Sequence, residues 1–303
     1  MEFAVLSVYP RFSKLDFIFF RLLGPGLGNL LFPWARAKIF AMKNNCTFIT
    51  PTWPQFKVGP IIRNEPDKRF YTGMFRPGVS EVGGFVKCKR IVIDRKIPES
   101  SIGKARAGDM IVFEGLGDYF MDLIGYSSFL KSEFKKILIS SNNIDSLMDK
   151  LNPRKSIAVH VRFGDFKVPT VSDLDNEVRN IRIPIEWYVA IVNQLNTHYS
   201  GQVKFNVFSD ASDFELSPLL SLDNVSRALG GNAAEDILLI SEHACLIASA
   251  STFSMWGAFL GQMPSIWYKG LKQQSLNDNS QWEIEVGMSD QIAPIFIENI
   301  KYE

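Results

Sequence analysis

From residue 157 onward, short apolar runs alternate with amphipathic stretches, an order that parallel α/β proteins satisfy and few other classes do. IAVHVRF (157–163), KFNVFSD (204–210), NVSRAL (224–229), CLIAS (245–249) and PSIWY (264–268) are each about one strand long, and PSIWY is the last clear one. IPIEWYVAIVNQLNTHY (183–199) and the glycine-led GGNAAEDILLISEH read as helices between them. STFSMWGAFLG (251–261) opens on hydroxyl residues and ends at glycine, as a capped helix does. This half is expected to be a doubly wound α/β domain.

The first half repeats the pattern less regularly. DFIFFRL (16–22) predicts a buried strand, LGPGLG a turn, and residues 29–44 a helix with Pro33 in its first turn. CTFITP (46–51) predicts the next strand, completing a βαβ unit. Residues 51–110 read as a loop-rich insertion with RIVIDR (90–95) as a short strand, followed by a strand in IVFEGLGDYF (111–120) and a helix over 121–137. The polar stretch 140–156 is the expected boundary between an N-terminal domain, 1–150, and a C-terminal domain, 151–303, whose tail is expected to pack back on the first.

Composition narrows the function. Lys and Arg number 33 against 32 Asp and Glu, which argues against a dedicated nucleic-acid binder. Cys46, Cys88 and Cys245 are scattered and odd in number, as in a reduced cytosolic protein with buried thiols rather than a disulfide framework or zinc site. The apolar runs near the N-terminus are interrupted by Arg11, Lys14 and Asp16 and fall short of the ~20 residues that cross a bilayer. No secretory signal is legible, so a cytoplasmic location is expected.

Four clusters carry polar chemistry at predicted strand ends, where open α/β sheets bind ligands. Gly24-Pro25-Gly26-Leu27-Gly28-Asn29 lets backbone approach a ligand at a helix start, or is a structural turn. It lacks GxGxxG spacing and an acidic residue after the second strand, which weighs against dinucleotide binding. His160 and Arg162 share a strand face just before Gly164-Asp165. The forked Arg162 suits a phosphate, or pairs with Asp165 to close a turn over a hydrogen-bonded His160. Ser209-Asp210 can accept from a ribose or base, or make an Asx turn. Ser249-Ala250-Ser251-Thr252-Phe253-Ser254 can cradle a phosphate, or simply cap a helix.

In this order the clusters resemble the fucosyltransferase superfamily, and most closely the α-1,2-fucosyltransferases of glycosyltransferase family 11. GLGNLLFPWARAKIFA resembles that family's GRLGNQMFQYA stretch, VHVRFGDF its VHIRRGDY, FSDASDF its FSDD, and the segment ending in STFSMWGAFLG its SSFSWWGAWL. FEGLGDYFMDLIGYSSFLKSEFK, residues 113–135, is similar to its glycine-aromatic segment. The chain departs from the pattern at Phe163, Ala250, Leu30 and Pro25, pointing to another donor sugar, another acceptor or a distant subfamily.

The resemblance implies a GT-B fold, two Rossmann-like domains facing across a cleft, and transfer of L-fucose from GDP-β-L-fucose to a glycan hydroxyl such as galactose 2-OH. Surface polysaccharide synthesis of the O-antigen type is the implied setting, with an acceptor that can be lipid-linked and at most peripheral contact at the inner face of the membrane. It implies that Arg162 meets the donor's diphosphate, that His160, Ser209 and Asp210 lie around the guanosine, and that Ser251, Thr252 and Phe253 line the β-phosphate pocket. Asn29 with Gly26 and Gly28 would face the sugar. Departing GDP needs positive charge. Asp173-Leu174-Asp175 matches a metal-binding DxD only in letters, so metal-free transfer with Arg162 in the cation's place is expected, with no cofactor. Asp165, Asp16 and Glu114 are candidate bases. Competing readings are a transferase for another GDP-sugar, an NAD-dependent oxidoreductase using GPGLG, and a non-catalytic glycan-binding protein.

Overall fold

A computed structural model describes residues 6–62, 68–139, 141–170, 173, 178, 180–228 and 231–301. The chain divides into two compact units, Met1–Ser141 and Asn142–Glu303. Both are α/β with parallel sheets.

In the first unit the strands are β1 (Ser7–Pro10), β2 (Arg21–Leu22), β3 (Thr47–Phe48), β4 (Gln55–Phe56), β5 (Lys96–Pro98) and β6 (Met110–Phe113). Its helices are α1 (Leu27–Asn44), α2 (Gly59–Ile62), α3 (Gly84–Ile93) and α4 (Ser127–Ile137). The main sheet has the order β3-β1-β6-β5, and β2 with β4 forms a separate parallel pair. Val8 lies opposite Phe48 on one side and Ile111 on the other.

Several expectations fail here for identifiable reasons. The first sheet strand is Ser7–Pro10; of the predicted run 16–22 only Arg21–Leu22 is a strand, outside the main sheet, and Phe17, Phe19 and Phe20 are exposed. Within the main sheet β1 already has β3 and β6 on its two sides, and the run pairs only at its end, with β4. Arg90–Ile93, expected as strand, completes α3, in which Ile91 packs on the first unit's core while Val92 and Ile93 are exposed. Pro33 sits deep in α1, because that helix begins at Leu27, and its ring withholds a hydrogen bond from the Asn29 carbonyl.

In the second unit the strands are β7 (Ser156–Val161), β8 (Lys204–Ser209), β9 (Val225–Arg227), β10 (Cys245–Ile247), β11 (Ser265–Tyr268) and β12 (Glu283–Val286). The helices are α5 (Ser141–Leu151), α6 (Ile185–His198), α7 (Asp213–Leu220), α8 (Ala233–Ile240), α9 (Thr252–Gly261) and α10 (Pro294–Glu298). The order β12-β11-β10-β7-β8-β9 places the first strand in the middle and builds outward on both sides. All six residues of β7 are buried, as expected of a central strand covered on both faces.

The polar stretch 140–156, the expected domain boundary, forms α5 over most of its length. Strand β12 was not legible, because EIEV alternates with charge at the sheet's edge. The tail expected to return to the first unit packs on α6 in the second: Tyr199 donates to the Ile297 carbonyl at 3.2 Å, and Phe296, Ile297 and Ile300 join that unit's core. Leu229 and Gly230, at the end of one predicted strand and the start of the next helix, lie outside the described residues.

Candidate functional site

Rossmann-type sheets bind ligands beyond the carboxyl ends of strands, at the point where strand order reverses. In the second unit that point lies between β7 and β10, which are hydrogen-bonded neighbours. Arg162 directly follows β7, Asp210 follows the adjacent β8, and Ser249 to Phe253 follow β10. Residues separated by up to 91 positions thus reach one end of one sheet because three consecutive parallel strands end there.

Arg162 is held from two sides. One guanidinium nitrogen donates to Asp210 Oδ2 and the other to Asp165 Oδ1, while the Phe166 ring lies 5.4 Å from its carbon. The other oxygen of Asp210 accepts from the Phe163 amide at 2.9 Å. Asp210 therefore fixes both the arginine and the turn that carries it. A Cβ on Gly164 would lie 2.2 Å from Asp210 Oδ2, so glycine is required by that approach. Ser209 turns its hydroxyl back to accept from the Ala211 amide at 3.0 Å.

His160, expected beside the nucleotide base, is buried under α9. Its Nδ1 lies 2.6 Å from Ser254 Oγ and 3.0 Å from Ser249 Oγ, and Phe253 stacks on its ring at 4.8 Å. Burial, helped by the neighbouring Arg162 charge, pushes its pKa down to about 3, so the ring is neutral near pH 7. It serves as a fixed support and carries no charge toward an anion.

The hydroxyl cluster also turns inward. Ser251 accepts from the Ser254 amide at 3.3 Å as the N-cap of α9 and lies 2.9 Å from Ser249 Oγ. Ser249 and Ser254, at the two ends of the hydroxyl cluster read from the sequence, are buried members of this network. Half-buried Thr252 and Phe253, with the first-turn amides of α9, form the more open side of this helix start. Phe163, standing where the family carries a second arginine, is buried in the core. Arg182 stacks 5.0 Å over its ring and donates to the Gly164 and Phe166 carbonyls. Sequence reasoning missed Arg182 because its loop has no readable pattern.

The remaining candidates belong to the first unit. Gly26 is the N-cap of α1 with an ordinary φ of −72°, and Gly28 is buried within that helix. The turn instead needs Gly24, with φ +113° and a Cβ position 2.5 Å from Arg21. Asn29 presents a buried Oδ1 for which no described group donates a hydrogen bond. The candidate bases are all engaged: Asp165 by Arg162, Asp16 by the Tyr9 hydroxyl, and Glu114 by Arg11. Asp173 accepts from the Thr170 amide and from Lys167, which hold its pKa near 2, while Leu174 and Asp175 lie outside the described residues. Among the described residues no helix is long and apolar enough to cross a membrane.

No curated protein matches the chain. Among solved structures, NodZ α-1,6-fucosyltransferase co-crystallized with GDP is 17% identical, with a TM-score of 0.49 over 86% of this chain and 93% of that one. Fucosyltransferase NodZ from Bradyrhizobium is 16% identical, with a TM-score of 0.46 over 86% and 93%. POFUT1 in complex with GDP is 13% identical, with a TM-score of 0.47 over 86% and 97%. The model of glycosyl transferase family 11 matches residues 122–279, just over half of the chain. That span takes in the Arg162 turn, Asp210 and the start of α9 together, and so the chain belongs to glycosyl transferase family 11 and is a glycosyltransferase.

Proposed function

We propose that this glycosyltransferase moves L-fucose from GDP-β-L-fucose to a hydroxyl of a glycan, a galactose 2-OH, in one inverting displacement without a metal ion. The observation that carries the donor assignment is the placement of Arg162 and the α9 N-terminus on neighbouring strands that flank the switch point. A diphosphate there meets a permanent cation and unpaired helix amides, both suited to the charge that grows as GDP departs. Fucose, the galactose acceptor and the GT-B class rest on the motif resemblance, as does a place in surface polysaccharide synthesis at the cytoplasmic face of a membrane.

In this reading the acceptor oxygen bonds to the anomeric carbon as the bond from that carbon to the β-phosphate oxygen breaks. The diphosphate takes the Arg162 fork from Asp165, whose carboxylate then receives the acceptor's proton. Asp210 keeps Arg162 aimed.

The test is GDP release from a panel of GDP- and UDP-sugars, with EDTA and with added galactosides. Activity with GDP-fucose in EDTA is expected. Arg162→Ala should reduce kcat/KM by about 100-fold or more, and Asp165→Asn should lower kcat while GDP still binds. Preference for another donor, loss of activity in EDTA, or an Arg162→Ala enzyme with near-native turnover would each overturn the corresponding assignment.

A further inference from the structure

The first unit contains a cavity of its own at the carboxyl end of β3. It has a volume of about 170 Å³, and Ile18, Phe19, Pro51, Pro54 and Pro77 supply its apolar wall. At ~30 Å³ per water this is room for five or six waters, the size of a single sugar ring. Phe19 stands at the mouth, 68% exposed, an aromatic face of the kind on which the C–H side of a pyranose packs. It is held there by local strain. Ile18 has φ +73°, unusual for a β-branched residue. Asp16 accepting from the Ile18 amide at 2.9 Å and Thr52 donating to the Ile18 carbonyl at 2.9 Å maintain it. Strain of this kind gathers at ligand clamps.

The polar side of the cavity is positive. Lys87 lines it and is only 6% exposed, with its ammonium 2.9 Å from Thr52 Oγ1 and 5.6 Å from the centre of the Tyr9 ring. Among the described residues no carboxylate lies within ion-pair distance of it; the nearby Asp16 is turned onto the Tyr9 hydroxyl and the Ile18 amide. One hydroxyl is thin compensation for a desolvated ammonium, which keeps two further donors. Burial lowers its pKa to about 8, so it remains mostly charged at pH 7. The cavity also receives the start of α3. Gly83, its N-cap, brings no side-chain acceptor, and Gly84 beside it has open space at the Cβ position. Ammonium and helix start both favour an anion.

We propose that this cavity binds one anion-bearing sugar of the acceptor, its ring on Phe19 and its carboxylate or phosphate on Lys87. The acceptor would then be an acidic glycan; calling the bound sugar part of the acceptor rests on the glycosyltransferase reading.

The experiment titrates the full chain with D-glucuronate, glucose 6-phosphate and glucose by ligand-observed NMR, and with GDP in the same samples. At least one anionic sugar should bind tenfold or more tighter than glucose. Glucuronate alone identifies a carboxylate as the ligand, the phosphate alone a phosphoryl group, and both a site that takes either. Lys87→Met should erase the preference. Phe19→Ala, a surface change that leaves the fold intact even if the lysine variant does not fold, should weaken every sugar at least fivefold. Glucose binding as tightly as both anions, no binding at all, or a preference that survives Lys87→Met overturns the inference. GDP binding without anionic-sugar binding sinks this inference alone, whereas the reverse sinks the donor assignment and leaves the cavity's role standing.

Discussion

Arg162 shows how a charge is aimed in this protein: two carboxylates and a ring surround it, and the glycine beside them leaves room for the arrangement. The Gly164→Ala change puts a methyl group 2.2 Å from Asp210 Oδ2. Asp210 cannot yield without releasing both Arg162 and the Phe163 amide. Losing a charge-assisted bond of this kind costs about 1.5–3 kcal/mol, so GDP affinity should fall by ~10-fold or more, as calorimetry would read. Unchanged affinity would show that Asp210 does not set the arginine. Lys87 is the opposite case, a buried charge with no carboxylate within ion-pair distance among the described residues. Burying a charge without an ion-pair partner carries a desolvation cost, which an apolar side chain of similar volume does not have. Lys87→Met should therefore raise the thermal midpoint of the unliganded protein, and a lower midpoint would mean that the Thr52 contact already compensates the charge. Both residues could be named as candidates only in part from the sequence. Arg162 stood out because it follows an apolar strand beside glycine. Lys87 did not, since its burial depends on Tyr9 and Thr52, 78 and 35 positions away.

Among the helices, α9 carries the largest share of the site. Its motif, hydroxyls followed by an apolar run and glycine, was legible, and the helix spans Thr252–Gly261 with Ser251 as its cap. The direction of the hydroxyls was not, because it is decided by His160 on a strand 89 or more positions earlier. Ser251→Ala removes both the cap and the contact to Ser249, and should lower stability by about 1 kcal/mol. Thr252→Ala, on the half-buried side, should affect GDP binding more than stability. Chemical denaturation and GDP titration of the two variants separate these effects; equal losses of stability in both would refute the division of labour. Gly257 explains why α9 sits where it does. A Cβ there would come within 2.5 Å of Ile240 on α8, so the close approach of those helices needs the glycine. In the first unit, α3 was read as strand because RIVIDR is rich in β-branched residues. Its ten-residue span shows tertiary context overriding that preference.

At the scale of the molecule, the buried histidines link stability to pH. His160 has its pKa lowered to about 3 and His243 to about 4, both chiefly by burial. Asn206 donates to His243 Nε2 at 3.0 Å and Nδ1 donates to the Leu239 carbonyl at 2.8 Å, a pattern that fits the neutral ring. Below about pH 6.5 the unfolded chain takes up protons that the folded one refuses. The stability associated with neutral histidine is complete above pH 6.5 and is lost as pH falls toward 4 and then 3. Calorimetry from pH 7.5 to 4.5 should show the midpoint of the second unit falling. In His243→Gln, whose amide can still accept from Asn206, the fall should be shallower. A midpoint flat over that range in the native chain would contradict the assignment.

Alternation of apolar strands with capped helices determined, in the sequence itself, that the second half would be doubly wound and that Arg162, Asp210 and the α9 start would sit at strand ends. Those are consequences of local propensity and of backbone hydrogen bonding, which a short window of residues contains. Tertiary structure alone decided that Ser7–Pro10 and not DFIFFRL enters the first sheet. It decided too that His160 is a neutral support, that Arg182 stacks on Phe163, and that Lys87 is buried at a cavity wall with the Thr52 hydroxyl as its acceptor. Burial and charge pairing depend on which distant chain segment arrives at a given surface, and no local pattern records that.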